Sequence, residues 1–352
     1  MGNFYSDASK SISDAIYDAL FHKADKYDNT LFPPSNLQNP FTFKYDGSEL
    51  FWCEWWTLYI YGKSESTFGI SGMINYIFVK GLNDIGVCII YIALLINGVR
   101  KVSWDFINLD QFKSDNTSIN ISLKTIVQNG DGYLFSGNSN NENIKWNLNL
   151  EKNHDSIYVA QKIKLGIDCF INLPTIENAS FASIIPFGNV TGSLIVDGIT
   201  YDINQYGEMD HIWGPVLLPT ISWNLLFGGD DNNNIIYYLH TPSVSNMEEK
   251  GCLYLYLDNN KYIIRDFETT EYKTDKEYPD KIIIKGIYQN IIIEYNILSL
   301  SASNNGSASE NHVKINIKFN DKEYLLFGMA EYYKSSLNFF NKDFIKELKS
   351  IQ

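Results

Sequence analysis

From residue 41 to about residue 335 the chain is a near-continuous series of short β-branched and aromatic runs broken by two-residue turns. "SLIV-DG-ITYDI" carries an Asp-Gly turn between extended segments, as does "FTFKY-DG-SELFWCEWW". "CLYLYL-DNN-KYIIRDF" and "KINIKF-ND-KEYLLFGM" are further hairpins by the same signal, and "KIIIKGIYQNIIIEYNI" adds two more β-branched runs. So many successive hairpins imply sandwiches or barrels, and a barrel removes exposed edges by closing on itself. About eight strands enclose enough interior for one small ligand. The expected class is therefore mainly β, as two antiparallel barrels packed together. The 352 residues are enough for two such units, or for one large β domain.

Helical periodicity is confined to the ends. Residues 9–27 place Ile12, Ile16, Ala19 and Leu20 on one side, and "NKDFIKELKSI" repeats the pattern near the C-terminus. Pro174, Pro186 and Gly188 interrupt the strand pattern in "NLPTIENASFASIIPFGNV" and suggest a seam. The expected division is residues 1–40 as helix and linker, 41–187 as one barrel, 188–340 as a second, and 341–352 as a terminal helix.

Composition narrows the partners. A net charge of −13, with no run of Lys or Arg, argues against nucleic acid, whose phosphates need a basic surface. The 24 Tyr and 21 Phe suit strands and pockets for apolar ligands. The cysteines Cys53, Cys88, Cys169 and Cys252 lie far apart without CxxC spacing, so buried thiols in a reducing compartment are expected, with neither disulfide nor metal. With no secretory signal visible, the expected location is the cytoplasm. The longest apolar run, "IGVCIIYIALLI", is too short to span a bilayer as a helix and reads as a buried strand. "MGNFYS" fits the loose myristoylation pattern, which with the first helix would allow transient membrane contact.

Three clusters carry candidate chemistry. In "EWWTLYIYG", strand alternation puts Glu54 and Trp56 on one face and Trp55 on the other. In "MDHIWGP", His211 and Trp213 share a face while Asp210 and Ile212 take the opposite one. A neutral imidazole can move protons near neutral pH, and an indole face stabilises a cation or polyene. A lone His is nevertheless more often a hydrogen-bonded structural group, and Asp210 reads equally as a residue that orients the segment. In "SWNLLFGGDDNNNIIYYLH", Trp223 opens a strand, and Tyr238 and His240 alternate onto one face of the next. His211, Trp213, Tyr238 and His240 are expected to face one interior. No P-loop, nucleophile elbow or dinucleotide fingerprint occurs, and no cofactor is expected.

In this order, "EWWTLYIYG", "VTGSLIVDGITYDINQYGEMDHIWG" and "SWNLLFGG" resemble the lipocalin-like superfamily of carotenoid 1,2-hydratase. Tocopherol cyclase and the fungal decalin-forming Diels–Alderases are more distant relatives. The resemblance covers roughly residues 45 to 335. It implies two calycin-type barrels holding an apolar ligand, and chemistry on polyenes or prenyl chains by hydration or ring closure. His211 and Trp213 match the hydratases' H-x-W pair. The Tyr of their Tyr-x-Asp proton donor falls at Tyr238, but the Asp position holds His240, a weaker acid than a carboxylic acid in a dry pocket would be. That departure favours a cyclase, with a Diels–Alderase-like pericyclase among the forms it can take, on an apolar polyene, terpenoid or polyketide precursor over a hydratase, with a non-catalytic lipid carrier as the rival from another class. In this reading His211, Asp210, Tyr238 and His240 are catalytic, and Trp213, Trp223, Trp56 and Glu54 bind the ligand.

Overall fold

The computed structural model describes residues 39–47, 52–65, 70–81, 86–140, 143–165, 176–214, 223–241, 250–264, 267–272, 281–286, 291–302 and 308–333. Both expected terminal helices lie outside the described residues. Within them the chain forms two nearly closed antiparallel, barrel-shaped sheets, and helix is limited to one 3-10 turn, Leu109–Gln111.

The first sheet comprises β1 (Trp52–Tyr61), β2 (Ile70–Lys80), β3 (Gly86–Ile96), β4 (Val99–Asn108), β5 (Phe112–Ser114), β6 (Ser118–Ile121), β7 (Lys124–Asn129), β8 (Gly132–Asn138), β9 (Ile144–Lys152), β10 (Ile157–Leu165), β11 (Ile176–Val196) and β12 (Ile199–Gly214). Its order is β4-β3-β2-β1-β12-β11-β9-β8-β7-β6-β5, with β10 also on β11. The second sheet comprises β13 (Trp223–Gly229), β14 (Ile235–Thr241), β15 (Lys250–Leu257), β16 (Asn260–Ile264), β17 (Phe267–Tyr272), β18 (Lys281–Gly286), β19 (Ile291–Ala302), β20 (Ala308–Phe319) and β21 (Lys322–Tyr333). Its order is β16-β15-β14-β13-β21-β20-β19-β18-β17. The two edge strands of each sheet, β4 with β5 and β16 with β17, are consecutive in the chain, so each sheet curls until its own edges approach.

The turns follow their residues. Asn97-Gly98, Asp197-Gly198, Asp258-Asn259 and Asn320-Asp321 all have positive φ at both positions, as tight two-residue hairpins of right-twisted strands demand. The apolar run after residue 85 is β3, buried along most of its length. The Asp46-Gly47 turn does not make the expected hairpin: residues 41–45 are not a strand, and Phe41 is packed within the first barrel's core.

The expected seam at 187/188 falls inside a strand. β11 runs for 21 residues, pairing β10 over its first part and β9 from Gly188 onward. Pro186 sits where the register against β12 shifts, between Ile185 and Gly188, so its missing N–H removes no ladder bond. The chain passes from one sheet to the other between Gly214 and Trp223.

Among the described residues three large apolar cores result, beside a small cluster of Cys53 with Trp55, Ile77 and Val79. One fills the first barrel, around Trp56, Tyr76, Phe135 and Trp146. Another fills the second, around Leu226, Tyr238, Ile293 and Ile315. The third joins the outer faces of the two sheets, with Tyr59, Tyr61, Met73 and Phe187 from the first against Phe227, Tyr237, Tyr254 and Met329 from the second. At this junction Gly229 leaves room for the Phe187 ring, which a Cβ would approach to 2.6 Å. Gly229→Ala is expected to cost about 1–3 kcal/mol through overpacking. Urea unfolding followed by circular dichroism would measure it.

Candidate functional site

The predicted residues divide among three places. The first is the interior of the first barrel, where β1 and β12 lie side by side with Trp56 opposite His211 and Glu54 opposite Trp213. Alternation turns Glu54, Trp56, His211 and Trp213 inward, and none of Glu54, Trp56 and His211 is exposed at all. His211 Nε2 lies 2.9 Å from Glu54 Oε1, and its Nδ1 meets the Pro40 carbonyl. Glu54 also accepts hydrogen bonds from the Trp52 indole (2.8 Å) and from the Lys44 backbone N–H (2.9 and 3.1 Å). Trp56 donates to the Phe41 carbonyl at 2.9 Å and stacks on the His211 ring with centroids 4.5 Å apart. Trp213 tilts against the other side of that ring at 4.6 Å.

This network is complete in itself. Both ring nitrogens of His211 face oxygen acceptors, so neither is open to a ligand while residues 40–44 are seated. The cluster holds three backbone groups of that segment inside the barrel. The expectation that His211 moves a substrate proton thus meets a physical obstacle: its hydrogen-bonding capacity is already used.

The second place is the interior of the second barrel. Tyr238 and His240 share a face of β14, as alternation requires, and their rings are 6.1 Å apart. The Tyr238 hydroxyl pairs with Thr269 Oγ1 at 3.1 Å, and Phe267 packs edge-on against both rings. The expectation of one interior shared by His211, Trp213, Tyr238 and His240 is therefore corrected. β12 belongs to one sheet and β14 to the other, and each pair faces its own barrel. Trp223 opens β13, and its side chain lies outside the described residues.

The third place is the layer between the sheets, reached by the opposite faces of β1 and β12. Here Asp210 stands two residues from Glu208 on the same face, both buried, with Ser183, Tyr59, Tyr61 and Thr57 around them and Glu331 and Tyr237 supplied by the second sheet. Ser183 donates to Glu208 Oε1 at 2.5 Å, and Tyr59 donates to Glu331 Oε2 at 2.5 Å. Thr57 donates to Asp210. Glu208 Oε2, Asp210 Oδ1 and the Tyr61 hydroxyl are buried without a hydrogen-bond partner among the described residues. Phe227 packs against Tyr59 at 4.8 Å, Tyr61 at 5.7 Å and Tyr237 at 6.0 Å.

Burial holds both carboxyls well above the ordinary carboxylate range. The charges of Asp210 and Glu331 add to this for Glu208, and that of Glu331 for Asp210, while hydrogen bonds from Ser183 and Tyr237 to Glu208 and from Thr57 to Asp210 oppose it. Two carboxyls this dry and this strongly coupled oppose each other's ionisation, which favours the protonated form of the pair. No group of three His, Cys, Asp or Glu side chains among the described residues is arranged to hold a metal ion. Glu208, Glu331, Tyr59 and Ser183 were not singled out in the sequence. The one signal was the Glu-x-Asp spacing in "GEMDHIWG", which puts two acids side by side on one face of the strand.

Two curled antiparallel barrels, packed through their outer faces and filled with apolar side chains, define a lipocalin-like architecture. Solved structures share it. An AttH assignment from Nitrosomonas europaea superposes with a TM-score of 0.63 at 14% identity, covering 87% of this chain and 99% of that one. CghA superposes with a TM-score of 0.56 at 10% identity, covering 81% and 88%, and its complex with Sch210972 with a TM-score of 0.52 at 10% identity, covering 81% and 89%. At these identities the likeness is one of fold, and it does not extend to the hydratase assignment. No family model and no curated protein matches the chain.

Two outcomes are expected. His211→Ala removes the imidazole partner of Glu54 and the ring stacked between Trp56 and Trp213, and should destabilise the fold by about 3–5 kcal/mol, read by urea unfolding. Asp210→Asn should act through pH. A carboxyl whose proton is held more tightly in the folded state contributes less stability as pH rises, beginning near pH 4 where the unfolded chain releases it. The variant should match the parent near pH 4 and gain on it toward pH 8, by up to ~1.4 kcal/mol per pH unit for each proton retained. Thermal unfolding at several pH values would show the divergence.

Proposed function

We propose that the protein is a cyclase that folds an apolar polyene, terpenoid or polyketide precursor in the layer between its two barrels. The observation that carries this reading is the pair of buried carboxyls, Glu208 and Asp210, each with one oxygen lacking a hydrogen-bond partner among the described residues, beside aromatic side chains of both sheets. Holding a flexible chain in its reactive conformer can supply effective molarities of about 10⁵ M or more. An acid in a dry layer adds proton transfer or a hydrogen bond at the reacting atoms.

The fold shared with CghA, a protein crystallised with the small molecule Sch210972, supports a ligand-binding role for this architecture. The resemblance to the Diels–Alderases and tocopherol cyclase supports ring closure. A lipid carrier accounts less well for the layer, since releasing a ligand unchanged requires no desolvated acids. Asp210, expected mainly to position its segment, takes a direct catalytic role in this proposal. For His211, Trp56, Trp213 and Glu54 the proposed role is support of β1 and β12 from behind, and Tyr238 and His240 belong to the second barrel's own interior.

Incubation with linear polyprenols (farnesol and geranylgeraniol) and mass spectrometry of the extract provides the test. Ring closure yields a product of unchanged mass and altered retention, a hydratase one heavier by a water, and a carrier the starting alcohol. Glu208→Gln should lower turnover by about 10²–10⁴-fold, the scale of a lost general acid. Saturable binding with the alcohol always returned unchanged would establish the carrier instead.

A further inference from the structure

Tyr238 and His240 stand at one end of the second barrel's interior, and register brings further polar side chains beside them. His240 lies opposite Asn224, Asn224 opposite Tyr332, and Tyr332 opposite Ser309, so one row crosses β14, β13, β21 and β20. One step deeper, Tyr238, Leu226, Ala330 and Asn311 form the next row. From the opposite edge of the sheet, β17 turns Phe267, Thr269 and Glu271 to the same place. Thr269 pairs with the Tyr238 hydroxyl at 3.1 Å, and Glu271 Oε1 accepts the Asn224 amide N–H at 3.0 Å. The interior beneath is apolar, and Ile236, Leu253, Ile284 and Ile293 have no exposed surface.

The hydrogen-bonding groups of this polar end are one-sided. Asn224, Ser309 and Asn311 are all buried. Asn224 gives its amide N–H to Glu271, and Asn311 gives its own to Ser309 Oγ at 3.1 Å. What remains on each amide is the carbonyl, and neither Oδ1 has a hydrogen-bond partner among the described residues. A buried acceptor left this way opposes folding and calls for a donor. Among the described residues Glu271 is the one charged side chain at this end of the interior, and no Lys or Arg accompanies it. Aromatic faces surround it: the rings of Tyr238, His240 and Phe267 lie 5.5 to 6.1 Å from one another. Burial, followed by the neighbouring Tyr238, Glu271 and Tyr332, pushes the Tyr295 hydroxyl well above its ordinary range and so keeps it protonated. Phe267, Thr269, Glu271 and Tyr332 are only half-buried, so this end is reached from solvent. Two carbonyl acceptors, a carboxyl and several π faces together suit a cation that carries N–H donors.

We infer that this end of the second barrel binds a small primary amine as its ammonium ion, at a site separate from the layer between the sheets and independent of the cyclase reading. The ammonium sits at Asn224 and Glu271, whose acceptors are adjacent, and Asn311 supplies a further acceptor one row deeper. Tyr238, Phe267 and Tyr295 present π faces to the charge. The packed interior beneath leaves no depth for a long tail, so the rest of the ligand is short and lies outward, against Phe267 and Tyr332. A quaternary ammonium satisfies the rings but offers nothing to the two carbonyls, and an alcohol of the same shape lacks the charge. Selectivity for the primary amine over both is what the arrangement implies.

Calorimetric titration of the full chain near neutral pH with phenethylamine, phenethyl alcohol and phenethyltrimethylammonium tests this. The amine should bind saturably and about tenfold or more tighter than either analogue, the scale of one charge-assisted hydrogen bond. Glu271→Gln keeps an acceptor for Asn224 and removes the charge, so it should erase the preference for amine over alcohol. Should that variant not fold, Phe267→Leu, which takes a ring from the mouth, should weaken the amine more than the alcohol. No saturable binding of the amine, or equal affinity for amine and alcohol in the parent protein, would overturn the inference. The trimethyl analogue binding as tightly as the amine would overturn the part given to the two carbonyls. Affinity lost in Asp210→Asn and kept in Glu271→Gln would put the amine in the layer between the sheets and overturn the site.

Discussion

The antiparallel pairing of β1 with β12 sets the position of everything else in the first barrel. Side chains alternate across a strand, so this one ladder fixes two opposed surfaces at once. Inward it aligns Trp56 with His211 and Glu54 with Trp213, and outward it aligns Thr57 with Asp210 and Tyr59 with Glu208. A one-residue slip would exchange the two sets. The His211–Glu54 pair would then face the second sheet, and the carboxyls would enter an apolar barrel. The buried polar groups on both faces thereby lock the register more firmly than apolar contacts could, because each wrong register strands polar groups away from their partners.

Much of the architecture was legible in the residues. The turn pairs Asp197-Gly198 and Asn320-Asp321 specify tight hairpins through the positive φ they tolerate, and the β-branched runs between them leave no alternative to sheet. The position of the sheet boundary was not legible, because Pro186 looks the same in sequence whether it ends a strand or sits in a bulge. Register against β12 decides that, and register is a long-range property. The alternation of His211 and Trp213 against Asp210 was readable locally. Which barrel each face would meet was not, since β12 and β14 are close in sequence but belong to different sheets. Glu208 was overlooked for a related reason. An acid on a strand reads as a solvent-facing residue until a second sheet is known to cover it.

The inter-sheet layer also shows how the fold accommodates an unfavourable arrangement. Desolvating Glu208, Asp210 and Glu331 together opposes folding, and the surrounding contacts of Tyr59, Phe227, Tyr237 and Met329 must outweigh it. Such a layer combines strong apolar adhesion with unsatisfied polar atoms, a combination that selection for stability alone would remove. The His211–Glu54 cluster is the opposite case, with each ring nitrogen of His211 and both carboxylate oxygens of Glu54 within hydrogen-bonding reach of a partner. Of the two, the unmatched one is the better place to look for chemistry.

The long separation between β1 and β12 bears on how the molecule is made. Cys53 pairs with Gly214, so the first barrel cannot acquire its central ladder until more than 150 further residues have left the ribosome. Until then the meander β1–β4 presents β1 as an open edge, with Trp52, Trp56 and Ile60 uncovered. The second sheet repeats the arrangement, since β13 waits for β21 at the far end of its own sequence. Contacts this distant along the chain slow folding and prolong the exposure of unpaired strands. The nascent protein should therefore depend on chaperones, and truncations ending before residue 214 should aggregate instead of folding as a smaller barrel.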